Sequence, residues 1–564
     1  MIADQGVATA DGAAVGAVVN PLRIRWLGRV SYRDAHACQQ AVFERRGDYL
    51  LLLEHPHVFT LGLRGDEANI LVDPAEVGAE VAYTDRGGDV TYHGPGQLVG
   101  YPVMTVPGKR GGGMADTVAY VRSVEQLVID ALADLGLPEC GRLPDYPGVW
   151  ADPDGDDPRK IAAIGVRLSR TRSMHGFALN VDCDLDWFGR IVPCGIPDKA
   201  VTSLAAEGRR VTMKDAVDAV AARAADRWGR GGADRADVAW RHRPEDLSPF
   251  SRGMGPGERP VRLRSRMAEA GLEGGLDIAA RKPAWMRVPL HTGPEFRRLK
   301  AVLHGRDLVT VCEEAGCPNI FECWNQGTAT FMINGHRCTR ACGFCLVDTQ
   351  RPEPPDPMEP ERVADAVEAM GLDYAVITSV ARDDLPDGGA AGFAAVVEAI
   401  RRRTPGVRVE VLIPDCKGDP EALAAVFDAR PDVLNHNIET AARLQRVVRP
   451  SAGYARSLAV LARAKAAGLT TKSSIIVGMG ETDEEAAQTM ADLAAVGTDI
   501  VTVGQYLRPT THHLPVARWV SPDQFERFRE IGQALGIAHV EASPLTRSSH
   551  HAQHAHTQAL AHPA

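Results

Sequence analysis

Between positions 312 and 345 the chain places six cysteines in two triplets: Cys312, Cys317 and Cys323, then Cys338, Cys342 and Cys345. The second triplet has the spacing C-x3-C-x2-C, and a tight loop of that spacing brings three thiolates onto one soft iron centre. A four-iron cluster held by three protein thiolates keeps one iron open to a further ligand, as a reductive, radical-generating site requires. A structural zinc site uses four ligands, usually in C-x2-C pairs. The 3-then-2 spacing, with Phe344 before the last cysteine, fits that pattern poorly. The first triplet, C-x4-C-x5-C, reads as a second three-cysteine cluster site, and two clusters side by side point to radical chemistry that also moves sulfur.

At 564 residues the chain is too long for one core, and two to four domains are expected. A net charge of −10 argues against a general nucleic-acid binder. There is no apolar run of 18 residues, so no membrane span is expected. Residues 1–20 are small and Ala/Gly-rich, without a basic region, and read as a disordered terminus and neither a signal nor a transit peptide. Eleven cysteines, six of them clustered, fit a reducing compartment with metal, hence a cytoplasmic protein.

From 21 to 230 the pattern is mixed α and β. Strand-like apolar runs cover 49–53, 97–105, 161–168 and 176–181, with helical periodicity at 116–136 and about 215–229. Residues 231–280 are rich in Gly, Pro and Arg and read as a flexible interdomain linker with at most one short helix. From 329 onward, strand-like runs near 329–334, 374–380, 407–413, 432–438, 471–477, 499–506 and 538–542 alternate with helical ones. Such alternation means βαβ units and a parallel sheet, open or barrel-like. Thr482-x-x-Glu485 is a capping box. The domain limits expected are 21–230 and 281–554, with a disordered tail at 555–564.

The stretches KPAWMRVPL, TVCEEAGCPNIFECWNQGTATFM, CTRACGFCLV, ITSVARDDLPDGGAAGF, LNHNIET and SSIIVGMGETDEE, from about Lys282 to Ala552, closely resemble the lipoyl synthase family of radical S-adenosylmethionine enzymes. The resemblance implies a partial (β/α) barrel and two 4Fe–4S clusters. One would be held by Cys338, Cys342 and Cys345, where S-adenosylmethionine binds, with Phe344 beside the adenosyl group. The other, auxiliary cluster would be held by Cys312, Cys317, Cys323 and the second serine of a C-terminal R-S-S-Y-x-A motif. That motif here is Arg547-Ser548-Ser549-His550-His551-Ala552, so Ser549 is the matching ligand and His550 stands where the family has tyrosine. The strand ends at 435–440 and 472–478 would line the cofactor cavity. The implied reaction inserts sulfur at carbons 6 and 8 of an octanoyl chain, unactivated positions that no side-chain base can deprotonate.

In the first half, RGGDVTYHGPGQLVGYP (86–102) is a glycine-rich loop whose backbone can approach a ligand closely. It is followed by KIAAIG (160–165), HGFALNV (175–181) and PCGI (193–196). In that order, with EHPHVFTLG upstream, these resemble the octanoyl-acyl-carrier-protein:protein octanoyltransferase family over Leu22–Thr212. The implied fold is the α/β fold of biotin and lipoate protein ligases. The resemblance implies Cys194 as the acyl-carrying nucleophile and Lys160 as its proton-transfer partner, consistent with the way a nearby ammonium lowers a thiol's pKa. It further implies an acyl or pantetheine site built from Arg86, Gly87, Gly88, Asp89, Val90, Thr91, Tyr92, His93, Ala163, Ile164, Gly165, Gly176, Phe177 and Ala178.

The chain therefore reads as one bifunctional enzyme, octanoyl transfer first and sulfur insertion second. Its partners would be octanoyl-acyl carrier protein, lipoyl domains of 2-oxoacid dehydrogenases and the glycine cleavage H protein, and an electron donor such as ferredoxin or flavodoxin, with no nucleic acid and no membrane. The rival readings are a two-cluster methylthiotransferase acting on tRNA, a first half that merely binds lipoyl domains, and a lipoate ligase that activates free acid with ATP. The acidic balance argues against the first, and Cys194 with Lys160 argues against the other two.

Overall fold

The computed structural model of the chain describes residues 21–45, 47–109, 113–192, 199–240, 261–272, 274–287, 309–310, 319–325 and 328–562. Cys194, Cys312 and Cys317 lie outside the described residues, as does 1–20.

The first half is built on strands β1 (Leu22–Arg29), β2 (Asp48–Glu54), β3 (Val58–Leu61), β4 (Glu80–Tyr83), β5 (Val90–His93), β6 (Gln97–Val103), β7 (Gly141–Leu143), β8 (Tyr146–Ala151), β9 (Arg159–Ser169), β10 (Arg172–Asn180) and β11 (Ala233–Asp237). Eight of these form one mixed sheet in the order β11-β1-β2-β6-β10-β9-β8-β7, and β4-β3-β5 form a small second sheet. Helices α1 (Tyr32–Glu44), α2 (Thr117–Asp134) and α3 (Met213–Trp228) complete the domain.

Side chains alternate across a strand, and β2, DYLLLLE, is apolar on both faces. Leu50 and Leu52 enter a core with α2 and α3, whereas Leu51 and Leu53 enter a different core on the other face. A strand of this kind requires cover on both sides. The second cover is α1 together with the other half of the chain: Leu51, Leu53, Val99, Tyr101, Ala35 and Val42 share one apolar cluster with Leu458, Ala462, Met490, Leu493 and Phe528.

The second half contains β12 (Val309–Thr310), β13 (Thr328–Ile333), β14 (Tyr374–Ser379), β15 (Arg408–Leu412), β16 (Val433–Asn435), β17 (Thr470–Val477), β18 (Ile500–Gln505) and β19 (His539–Ser543). From β13 to β19 each strand pairs in parallel with the next, and β12 adds an antiparallel edge. Helices return between the strands, as the alternation predicts, making an open (β/α) barrel. The capping box is present, with the Thr482 hydroxyl accepting from Glu485 N–H at 3.1 Å and the Glu485 carboxylate accepting from Thr482 N–H at 2.9 Å.

Two expectations fail. The segment 231–280 is not a free tether over its described residues. β11 extends the first sheet in parallel with β1, and Trp240 stacks on Trp26 at 4.5 Å between ring centroids. Farther on, helix Val261–Glu269 and the residues after it dock on the barrel, where Leu263, Met267, Ala270 and Leu272 pack against Leu444, Val447 and Met479. Composition rich in Gly, Pro and Arg hid anchors spaced i, i+4, i+7. The tail, expected to be disordered from 555, is instead helix Ala552–Ala561. It buries Ala552, Ala555, His556 and Ala559 beside Tyr374, Val376 and Ile500, because its small residues fall on one face.

The halves are also locked by buried charge. Arg25 (1 % exposed) donates from Nε to Asp492 at 2.8 and 2.9 Å. The Tyr454 and Tyr49 hydroxyls donate to the same carboxylate at 2.9 and 3.3 Å. Asp34 on α1, an acid on a buried helix face, pairs with Arg463 at 2.9 Å and Arg456 at 3.4 Å.

Candidate active sites

In the first half, the glycine-rich loop leads into β5, and β9 and β10 pass beneath it. The result is an open cleft with about 480 Å³ of empty space. Of the residues expected there, Arg86, Gly87, Gly88, Thr91, His93, Ala163, Ile164, Gly165, Gly176, Phe177 and Ala178 line it. Three do not. Strand alternation sends Val90 and Tyr92 to the opposite face, into a cluster with Phe59 and Trp187. The Asp89 carboxylate is spent on the loop, accepting from Val90 N–H at 2.7 Å and Asn69 Nδ2 at 2.6 Å. Tyr32, Tyr101 and His175 also line the cleft. His175 stands in the HGFALNV motif and Tyr101 near the end of the 86–102 stretch, whereas nothing local marks Tyr32.

The close approach of loop and strand depends on glycine. A Cβ on Gly165 would lie 3.2 Å from the Gly87 carbonyl oxygen, and Gly88 has φ +96°. Arg86 is directed inward, donating from Nη2 to the Thr60 carbonyl and hydroxyl at 2.6 and 2.9 Å. His55 bridges the Val30 carbonyl and the Tyr101 hydroxyl, each at 2.8 Å. Burial pushes the His55 imidazole down to about 4 and His93 down to about 3. With these imidazoles neutral and the Arg86 guanidinium engaged on Thr60, the rest of the wall offers dipoles and apolar surface, suited to an uncharged acyl group.

Lys160 stands on β9 with Nζ 4.8 Å from the centre of the Trp150 ring. Its backbone is stitched to the segment that follows PCGI: Lys160 N–H donates to the Ala200 carbonyl and Thr202 N–H to the Lys160 carbonyl, both at 2.9 Å. Upstream, Val192 N–H donates to the Asn69 carbonyl at 2.8 Å. Of the described residues on either side of 193–198, Val192 is thus pinned to Asn69, and Ala200 and Thr202 to Lys160. Cys38, Cys140 and Cys183 are buried, as structural cysteines are.

In the second half, Cys338, Cys342 and Cys345 occupy the loop after β13, at the C-terminal rim where such barrels carry chemistry. Four rim segments hold this loop. Thr339 N–H donates to the Ala381 carbonyl at 3.0 Å, and Gly343 N–H to the Val448 carbonyl at 2.8 Å. Arg340 clamps Asp383 at 2.7 Å and Asp415 at 2.6 Å, and His513 Nε2 lies 2.8 Å from the Cys345 carbonyl. Cys338 Sγ accepts from Ala381 N–H at 3.3 Å and Arg340 N–H at 3.4 Å.

Burial raises the Cys338 thiol and takes Cys342 up to about 12 and Cys345 up to about 11; Cys338 adds to the rise of both, and Cys345 to that of Cys342. Three neighbouring thiols that stay protonated alone gain by binding cationic iron, and the amide donors at Cys338 suit a thiolate, so the donor set fits a cluster. Phe344 packs with Leu444, Val447 and Leu514. Of the strand ends expected at a cofactor cavity, Glu439 is half-buried and accepts from Asn437 Nδ2 at 3.0 Å, whereas Lys472 is spent deeper in the barrel on Glu410, at 3.0 and 3.1 Å.

Cys323 is buried on helix Ile320–Asn325. The C-terminal loop reaches this helix from more than two hundred residues away. His551 Nε2 lies 3.0 Å from Glu322, and Asn319 donates to the Leu545 carbonyl at 2.8 Å. Ser548 accepts from Asn435 at 2.8 Å and donates to Asn437 at 3.0 Å, so its hydroxyl faces the barrel mouth, and Ser549 is its neighbour. The fold thus joins a cysteine of the first triplet to the serine loop.

Residues 31–225 match the family model of the lipoyl protein ligase A/B catalytic domain, and residues 332–493 that of the radical SAM superfamily. The chain is 53% identical over 316 residues to the lipoyl synthase of Rubrobacter xylanophilus, covering 55% of this chain and 95% of that protein. It is 50% identical over 304 residues to the lipoyl synthase of Kineococcus radiotolerans, covering 54% of this chain and 89% of that protein. Among solved structures, a bi-partite lipoate protein ligase from Thermoplasma acidophilum is 17% identical, covers 40% of this chain and 88% of that chain, and has a TM-score of 0.33, a likeness too faint to argue from.

Cleft, cysteine loop and family matches define a two-domain enzyme in which a ligase-type acyl-handling domain is fused to a radical S-adenosylmethionine domain. Through its C-terminal half the chain belongs to the lipoyl synthase family, and with it comes the use of iron–sulfur and S-adenosylmethionine. Among the described residues no helix is long and apolar enough to cross a membrane.

Proposed function

We propose that this chain carries out two consecutive steps of lipoate assembly on one acceptor. In the first, the Cys194 thiolate takes octanoyl from acyl carrier protein as a thioester, releasing the carrier thiol. The amine of an acceptor lysine on a lipoyl domain then displaces Cys194, with Lys160 handling the proton. The pinning of the chain on either side of PCGI, with one pin on Lys160 itself, supports this pairing. Thr91, His93 and the 86–88 backbone hold the acyl end, and Phe177 and Ala178 give it apolar walls.

In the second step, Cys338, Cys342 and Cys345 hold the cluster that binds S-adenosylmethionine and supplies a carbon radical. The Arg340 clamp fixes that loop, and Phe344 closes one side. Cys312, Cys317 and Cys323, with a serine of the 547–552 loop, hold the second cluster, the source of sulfur for carbons 6 and 8. By register the serine is Ser549. Ser548 is the competing donor because its hydroxyl faces the barrel mouth, and alanine at each, read by iron content, decides between them.

The observation that carries the reading is the placement, in one chain, of the three-cysteine loop on a barrel rim and, in a ligase-type domain, of a cleft lined by Ala163, Ile164 and Gly165 of β9, the strand that also carries Lys160. The decisive experiment is mass spectrometry of an apo lipoyl domain. Octanoyl-carrier protein alone should add an octanoyl group, and reductant with S-adenosylmethionine should then add two sulfurs. Octanoylation that requires free acid and ATP would overturn the transferase reading.

A further inference from the structure

Beside the acyl cleft, three side chains from separate parts of the first half meet: His36 on α1, Asp85 just before the glycine-rich loop, and His175 on β10. One donor atom from each lies within 4.8 Å of the other two. His175 Nε2 is 2.7 Å from Asp85 Oδ1, and the His36 and His175 rings stack at 5.8 Å with an interplanar angle of 18°. His36 Nε2 is buried without a hydrogen-bond partner, a cost that buried polar atoms seldom bear without reason. His175 is held rigidly at φ +60°, its N–H donating to Gln39 Oε1 at 3.0 Å.

We propose that His36, Asp85 and His175 form a binding site for a divalent transition-metal ion of the zinc type, separate from the iron–sulfur clusters. Two imidazole nitrogens and one carboxylate oxygen are the donor set such ions take while keeping a position open for water. Burial keeps both imidazoles from the doubly protonated form at neutral pH, and Asp85 is ionised, so His175 Nε2–H donates to its carboxylate and an ion that takes Nε2 releases that one proton to solvent. The site is reached from solvent on the carboxylate side, since Asp85 is 37% exposed and His175 only 2%.

One group competes. Arg167 pairs with the second oxygen of Asp85, and Arg86 and Arg463 add positive potential. An incoming ion must compete with Arg167, whose guanidinium pairs with Asp85 while also lying over the Phe43 ring at 5.3 Å. The site is thus gated by a cation, and removing that cation should tighten it.

The test uses the full chain with its iron–sulfur clusters loaded, stripped of adventitious metal and titrated with Zn2+. We expect one equivalent bound, with a zinc absorption edge showing only nitrogen and oxygen ligands at about 2.0–2.1 Å. His36→Phe keeps the ring packing and should abolish binding, and Asp85→Asn should weaken it at least tenfold. Arg167→Met should tighten binding several-fold, a gain that no surface histidine would show. Sulfur in the zinc shell, retained stoichiometry in folded His36→Phe, or an affinity unmoved by Arg167→Met would each overturn the proposal. Should His36→Phe not fold, Asp85→Asn and Arg167→Met, which move affinity in opposite directions, still decide it.

Discussion

Replacing Asp492 by Ala should test whether the two enzymes of this chain are one folded body. Asp492 belongs to the second half and is fully enclosed, yet its main partner, Arg25, belongs to the first. Truncation leaves a guanidinium 1 % exposed with its best partner gone, together with two tyrosine hydroxyls. Removing one member of a buried pair costs about 3–5 kcal/mol. Arg25 keeps Asp234, so the lower end, about 3 kcal/mol, is expected. By contrast, Arg25→Met combined with Asp492→Leu removes both charges and leaves chiefly the Tyr454 hydroxyl without its carboxylate, so it should cost less than the two single substitutions summed, about 1–3 kcal/mol. The assay is urea unfolding of the intact chain, followed by tryptophan fluorescence and circular dichroism, with both single variants and the double. A large coupling energy across the cycle places the residues in contact in solution. If Asp492→Ala unfolds within about 0.5 kcal/mol of the parent, the reasoning from this interface fails.

Other outcomes follow from the same geometry. Residues 21–240 expressed alone should expose Leu51, Val99 and Tyr101 from the shared core, bind a hydrophobic dye, and lose that signal when the second half is added. Substituting Ala at Cys338, Cys342 and Cys345 should remove about four of about eight irons and abolish S-adenosylmethionine cleavage, with octanoyl transfer retained; loss of both activities would contradict the division of labour. Cys194→Ser should lose most octanoyl transfer because a hydroxyl is a far weaker nucleophile at neutral pH, as a trapped acyl-enzyme assay would show. His55, buried and held down to about 4, contributes stability that is present above about pH 6.5 and lost as pH falls towards 4. At about 1.4 kcal/mol per unit this amounts to about 3 kcal/mol at most, and His55→Gln should flatten the acid limb of a stability–pH profile.

Local sequence determined a great deal here. The period-2 and period-3.6 patterns mark most strands and helices of both halves, because those patterns report which face each element buries. The spacing of Cys338, Cys342 and Cys345 marks the rim loop, since three ligands within eight residues need no distant chain to assemble. Only the tertiary structure decided what crosses long separations. It turned Val90 and Tyr92 away from the cleft and brought Tyr32 and Tyr101 in, since alternation alone does not say which face is the cleft. It joined Glu322 to His551, and drew Leu263 and Met267 out of a segment that reads as a linker. Above all it assigned Leu51 and Leu53, Asp34 and Asp492 their partners in the opposite half. A run of four leucines states that both faces of a strand must be covered. The cover is contributed by residues more than four hundred positions away, and it exists only once the chain has folded on itself.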